Sequence, residues 1–184
     1  MNLQNIRWPV LVATLAVTLA VLFGAGFVVK SQTVEEPLRS VYANSPVVES
    51  STVERLGDTY VIKVAFKDVP DFAPAYMKLH ADTEKLLKET PFEIEVADRR
   101  TPELEQAFRR VNLFVQEALA TGQFSTMADR VEAEAAKAGL TARLDVDNDR
   151  VFVQMHGQNA YLYSVAERGQ SLEKQTRAEG GMGL

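Results

Sequence analysis

The 184-residue sequence predicts an α+β protein in which an N-terminal transmembrane helix precedes one domain with a mixed β-sheet packed against about three helices. Three observations lead there. Residues 9–29 carry no charged side chain, residues 60–66 and 92–96 place apolar side chains at every second position, and three stretches between 75 and 138 repeat apolar residues at helical spacing.

At about 1.5 Å per residue, a helix over 9–29 is about 32 Å long, matching a hydrocarbon core of about 30 Å. Only Thr14 and Thr18 interrupt its apolar surface, and Trp8 stands where an indole anchors at the interface. A cleaved signal peptide is the competing reading, because Arg7 precedes the run and Gly24, Ala25 and Gly26 offer small residues for cleavage. The run outlasts an apolar signal region of about 7 to 15 residues, which favours an uncleaved signal anchor. A leader of residues 1–8 ahead of a large C-terminal body stays inside, so the expectation is a single-pass protein of the cell membrane with an extracytoplasmic domain. Ala16, Ala20 and Gly24 form a small-residue seam through which two spanning helices would pair as a homodimer.

Composition narrows the remainder. Without Arg7 and Lys30, the chain after the anchor has 18 basic and 25 acidic residues, net −7. That balance excludes general nucleic-acid binding, which rests on Lys and Arg neutralising phosphates. With no cysteine there is no disulfide, thiol nucleophile or thiolate metal site.

Residues 30–50, with Pro37 and Pro46, read as a spacer allowing one turn of helix near 38–42. The domain is assigned to 51–168 and a disordered tail to 169–184, which is rich in glycine and charge. Strands over 51–55 and 59–66 form a hairpin, and Tyr60, Ile62, Val64 and Phe66 share one face. A helix over 75–88 turns Tyr76, Leu79, Thr83, Leu86 and Leu87 inward, and the strand at 92–96 follows, so that 59–98 can close a parallel crossover. Thr101 is an N-cap and Pro102 the first residue of a helix ending near Gly122; another helix spans 125–138 and stops at Gly139. In the last hairpin, burying one face requires Val146 opposite Val151 and Leu144 opposite Val153. A loop at Gly157, Gln158 and Asn159 would then set Met155 opposite Tyr161 and Val153 opposite Tyr163.

Few residues offer chemistry. His80 and Glu84 lie one helical turn apart, but no second histidine follows at metalloprotease spacing. Asp145, Asp147 and Asp149 imitate the opening of a calcium loop, yet Arg150 stands where glycine is needed and His156 where the bidentate glutamate belongs. Ser171 and Lys174 have a nucleophile–lysine spacing in the tail, with no fold around them to exclude water. Arg99 and Arg100, just ahead of a helix N-terminus, form a candidate anion site. The register also sends Phe152, Gln154 and Leu162 outward as a small apolar patch ringed by polar groups, a candidate protein-binding face. No catalytic residue, metal or cofactor is assigned.

These readings converge on a membrane-anchored envelope protein whose domain is a non-enzymatic protein-binding, assembly or sensory module. The alternative is a membrane-tethered hydrolase using Asp98 with His80 or His156, which requires those groups to meet in one cleft.

Overall fold

A computed structural model of the chain describes residues 34–168. Among them are four helices, α1 (Glu36–Ala43), α2 (Phe72–Leu87), α3 (Pro102–Thr121) and α4 (Phe124–Lys137), and six strands. The strands are β1 (Val48–Leu56), β2 (Thr59–Phe66), β3 (Phe92–Ala97), β4 (Thr141–Val146), β5 (Arg150–Gly157) and β6 (Ala160–Glu167). Among the described residues no helix is long and apolar enough to cross a membrane. The expected span at 9–29 with its seam Ala16, Ala20 and Gly24, the leader and the tail all lie outside the described residues.

The protein is α+β, but with two three-stranded sheets in place of one mixed sheet: β1-β2-β3 is mixed and β4-β5-β6 antiparallel. In the first, β1 pairs antiparallel with β2 through a turn in which Gly57 adopts φ 64°, and β2 pairs parallel with β3 across α2. Tyr60, Ile62, Val64 and Phe66 turn inward as the alternation predicts, and α2 buries Tyr76, Leu79, Thr83 and Leu87. The helix starts at Phe72, earlier than expected, because Pro74 in its first turn removes an N–H that has no intrahelical acceptor anyway. Thr101 Oγ1 accepts from Leu104 N at the start of α3, and Gly122 ends it at φ 75°.

The expected spacer departs from its assignment. Within 30–50, α1 places Leu38 and Tyr42 in the core, and Tyr42 O–H donates to Thr83 Oγ1 (2.6 Å), whose own hydroxyl donates to Leu79 O (2.8 Å). Burial pushes the Tyr42 phenol up to about 12, so it stays a donor.

The β4–β5 register is as the pattern requires, with Val146 opposite Val151 and Leu144 opposite Val153. The β5–β6 register is shifted by one residue: Gly157 pairs with Ala160, Met155 with Leu162 and Val153 with Ser164. Gly157 pairs with Ala160 as the last residue of β5, and its missing Cβ makes room for Leu140, whose Cδ2 would lie 3.0 Å from one; the turn is only Gln158 and Asn159, the latter at φ 56°. A one-residue shift turns every β6 side chain over.

The outward patch is thereby overturned. Phe152 is 2% exposed, Gln154 4% and Leu162 0%, and the two apolar residues face opposite cores. Leu162 joins Val151, Val153 and Met155 against α3 and α4, whereas Phe152 joins Tyr161 and Tyr163 against β2 and α2. β5 and the first half of β6 are thus buried on both faces, whereas β4 stays partly exposed.

The face toward β2 and α2 also fastens residues 67–71, the irregular link from β2 to α2. Gln154 Oε1 accepts from Phe72 N (2.9 Å), and its Nε2 donates to Val69 O (2.7 Å). Tyr163 OH accepts from Val69 N (2.8 Å) and donates toward Lys67 O (3.2 Å), while Tyr161 OH donates to Phe66 O (2.8 Å). The Phe72 ring stacks on Tyr163 at 4.3 Å. Gln154→Leu should cost about 3 kcal/mol by leaving Phe72 N–H unpaired and Val69 C=O weakly paired in the core, read as a lower urea midpoint at unchanged slope. Joining Phe152→Ser to Leu162→Thr removes packing from both cores, on the order of 3 kcal/mol each, and should abolish cooperative unfolding in circular dichroism.

Candidate functional site

A groove of about 640 Å³ opens between the two sheets. Its walls are Phe92, Glu93 and Ile94 of β3 and Val165, Ala166 and Glu167 of β6. Tyr76 and His80 of α2 close one side, Gln116 and Leu119 of α3 the other.

The walls are strand edges, and the ladders show which backbone groups face the groove. Tyr60 N donates to Pro91 O, so in the parallel β2–β3 ladder Glu93 and Glu95 turn their N–H and C=O toward β2, leaving those of Phe92 and Ile94 on the free side. In β6, the close pairing of Gly157 with Ala160 directs Leu162, Ser164 and Ala166 toward β5 and Val165 and Glu167 away from it. No backbone bond joins the β3 and β6 walls within the groove among the described residues.

At one end the edges meet. Tyr161 N donates to Arg99 O (2.9 Å), and Tyr163 N donates to Asp98 Oδ2 (2.8 Å), so a side-chain carboxylate replaces the next strand carbonyl. The Asp98 side chain is 1% exposed and is gripped by Arg100 Nε (2.7 Å) and Nη2 (2.8 Å). Arg99 lies over the Tyr161 ring at 5.9 Å. The expected anion site is therefore already supplied with an internal carboxylate: Arg100 neutralises Asp98 and Thr101 caps α3.

The hydrolase geometry is not assembled. Asp98 is committed to Arg100 and Tyr163, His80 Nε2 lies 2.8 Å from Arg150 Nη2, and His156 sits between Asp68 Oδ1 (Nδ1, 3.1 Å) and Gln154 Nε2 (Nε2, 2.7 Å). Gln154 spends its carbonyl on Phe72 N, so its amide donates and His156 Nε2 accepts. Among the described residues no group of three or more acidic or histidine side chains could hold a metal ion. Asp147 Oδ1 instead accepts from Asp149 N (2.8 Å) and Arg150 N (2.6 Å), which closes the β4–β5 turn.

His80 is the histidine of the groove. A guanidinium only donates, so His80 Nε2 must be an unprotonated acceptor toward Arg150. Burial and then the Arg150 charge hold the imidazole below its ordinary 6.5, outweighing the opposite pull of Glu84, Glu167 and Asp147. A base with a lowered folded pKa keeps the fold's full stability above its unfolded value and loses it as pH falls through the folded value. Between pH 7.5 and about 5 the wild type should lose more stability than His80→Phe, the difference being read from urea midpoints at each pH.

Sequence reading singled out His80, Arg99, Arg100 and Asp98 but missed the groove, whose walls are set by ladder parity and sheet separation rather than residue type. No family model, curated protein or solved structure matches the chain.

Proposed function

We propose that the protein is a non-enzymatic, membrane-anchored module whose domain holds a protein partner outside the cytoplasm. The supporting observation is the groove itself: a cleft walled by strand edges without ladder partners among the described residues and by partly exposed apolar side chains, with its histidine already engaged by Arg150. Such a cleft offers hydrogen bonds along a backbone and no nucleophile with an oriented base. The apolar run at 9–29 supplies the tether, and the small-residue seam within it would pair two copies.

The test uses the full chain in its native membranes with a photo-crosslinking residue placed in turn at Glu93, Leu119, Leu56 and Leu113. A discrete partner adduct at any position, together with resistance to carbonate extraction and cleavage of the domain by protease added to intact spheroplasts, is expected. Absence of adducts at all four, with turnover of ester or phosphate substrates that Asp98→Asn abolishes, would establish the hydrolase alternative instead. A domain protected from protease while a cytoplasmic control also survives would overturn the placement outside.

A further inference from the structure

We infer that the groove accepts one extended segment of a partner protein as an added β-strand between β3 and β6, and that this segment alternates apolar with basic residues. The inference rests on the protein-binding reading above and specifies its occupant. Because Arg99 and Tyr161 bridge antiparallel, an inserted strand would run parallel to one wall and antiparallel to the other. It would join the two sheets into one, in the order β1-β2-β3-insert-β6-β5-β4.

Burial along the strands supports an occupant. Tyr60, Ile62 and Val64 of β2 are fully buried, yet their ladder partners Phe92, Ile94 and Val96 on the same face are only half-buried. Similarly, Tyr161, Leu162 and Tyr163 are buried, whereas Ser164, Val165 and Ala166 emerge toward solvent as β6 leaves the Asp98 junction. Both edges therefore lose cover along the same cleft.

Alternation follows from the two sides. Successive side chains of an inserted strand point to opposite faces. One row would meet Tyr76, Phe92, Ile94 and Val165, an apolar floor. The other would meet the α3 side, where Gln116 lines the cleft and Glu93 alternates away from the apolar row. Glu167, opposite Arg150 in the β5–β6 ladder, stands with Val165 at the open end of the first row, where Arg150 is spent on His80 and the Tyr76 ring. Basic side chains on the second row complement Glu93.

Neither alternative from within the chain matches this. A second copy offering its outer strand β1 would bring Glu49 and Glu54 against Glu93. The tail after Arg168 carries Lys174 and Arg177, but Leu172 is its only large apolar residue before Met182.

The probe is a nine-residue peptide of alternating valine and lysine, added to the full chain in detergent micelles. Its controls are the same peptide with every second amide N-methylated and a version with glutamate replacing lysine. Hydrogen exchange at Ile94 and Val165 should be fast without peptide and slow by about tenfold or more with it, while Glu95 and Ser164, already in ladders, change little. Both controls should bind about tenfold more weakly or worse. Ile94→Pro, which removes a free edge donor together with part of the apolar floor, should fold and lose binding at least to the same degree, whereas Ile94→Val, which keeps the donor, should retain it. If the proline variant does not fold, the methylated control on the wild type decides whether the peptide binds through its backbone.

Equal binding of the methylated peptide would overturn the inference. So would an Ile94 amide already protected in the free chain and released by truncation after Arg168, which would make the tail the occupant. Protection that rises with protein concentration alone would assign a second copy and overturn it too. Partner adducts confined to Leu56 or Leu113 would preserve the protein-binding reading while removing this site.

Discussion

The structure depends on how residues 67–71 carry the chain from β2 to α2. This link has no ladder of its own, and although Lys67, Asp68 and Pro70 are exposed, Val69 is buried against the second sheet, where its backbone and that of Phe72 need partners from the protein. Gln154 and Tyr163 supply the missing partners by receiving Val69 N and Phe72 N and donating to Val69 O. An unpaired buried amide costs about 1–3 kcal/mol, so these two side chains decide whether α2 can start where it does. Burial pushes the Tyr163 phenol up to about 12, which keeps its proton in place for the donor half of this exchange.

That constraint explains the double burial of β5 and the start of β6. The α3–α4 face of this sheet needs only non-aromatic apolar residues, and Val151, Val153, Met155 and Leu162 provide them. Its other face must both pack and hydrogen-bond, so it carries Gln154, Tyr161 and Tyr163 beside Phe152. Aromatic rings with a polar tip suit a surface that is apolar in the middle and must reach a backbone at its edge. Asp98 extends the same logic to the sheet boundary. By accepting Tyr163 N–H in place of a strand carbonyl, it ends the contact between β3 and β6 after one backbone bridge and fixes where the two edges part.

Much of this fold was legible in the residues, and the failures have specific causes. The parallel β2-α2-β3 unit, the Thr101 cap and the β4–β5 register followed from periodicity, because each is a local pattern with one buried face. The β5–β6 register failed on Gly157, whose glycine reads as a turn but serves close packing against Leu140. One residue of error was enough to move Leu162 and the two tyrosines to the wrong faces. The rule of one buried face per antiparallel strand also misled, since β5 is covered on both. Residues 30–50 looked like a spacer because α1 shows only Leu38 and Tyr42 to the core, too few for a periodic signal in an eight-residue helix. Among site residues, His80 was visible as a lone histidine, but its pairing with Arg150 across 70 positions was not.

An exposed pair of strand edges is ordinarily a route to aggregation, and the surroundings of this one show why it can persist. Tyr76 of α2 and Leu119 of α3 both line the cleft, so side chains from two helices stand in the way of a flat sheet edge. Glu93 and Glu167 add charge that repels strands of acidic composition, including the chain's own β1 with Glu49 and Glu54. The closed end at Asp98 limits how far any insertion can proceed. Charge and a fixed stop thus oppose pairing with another copy's β1, while the backbone groups of Phe92, Ile94, Val165 and Glu167 have no ladder partner among the described residues.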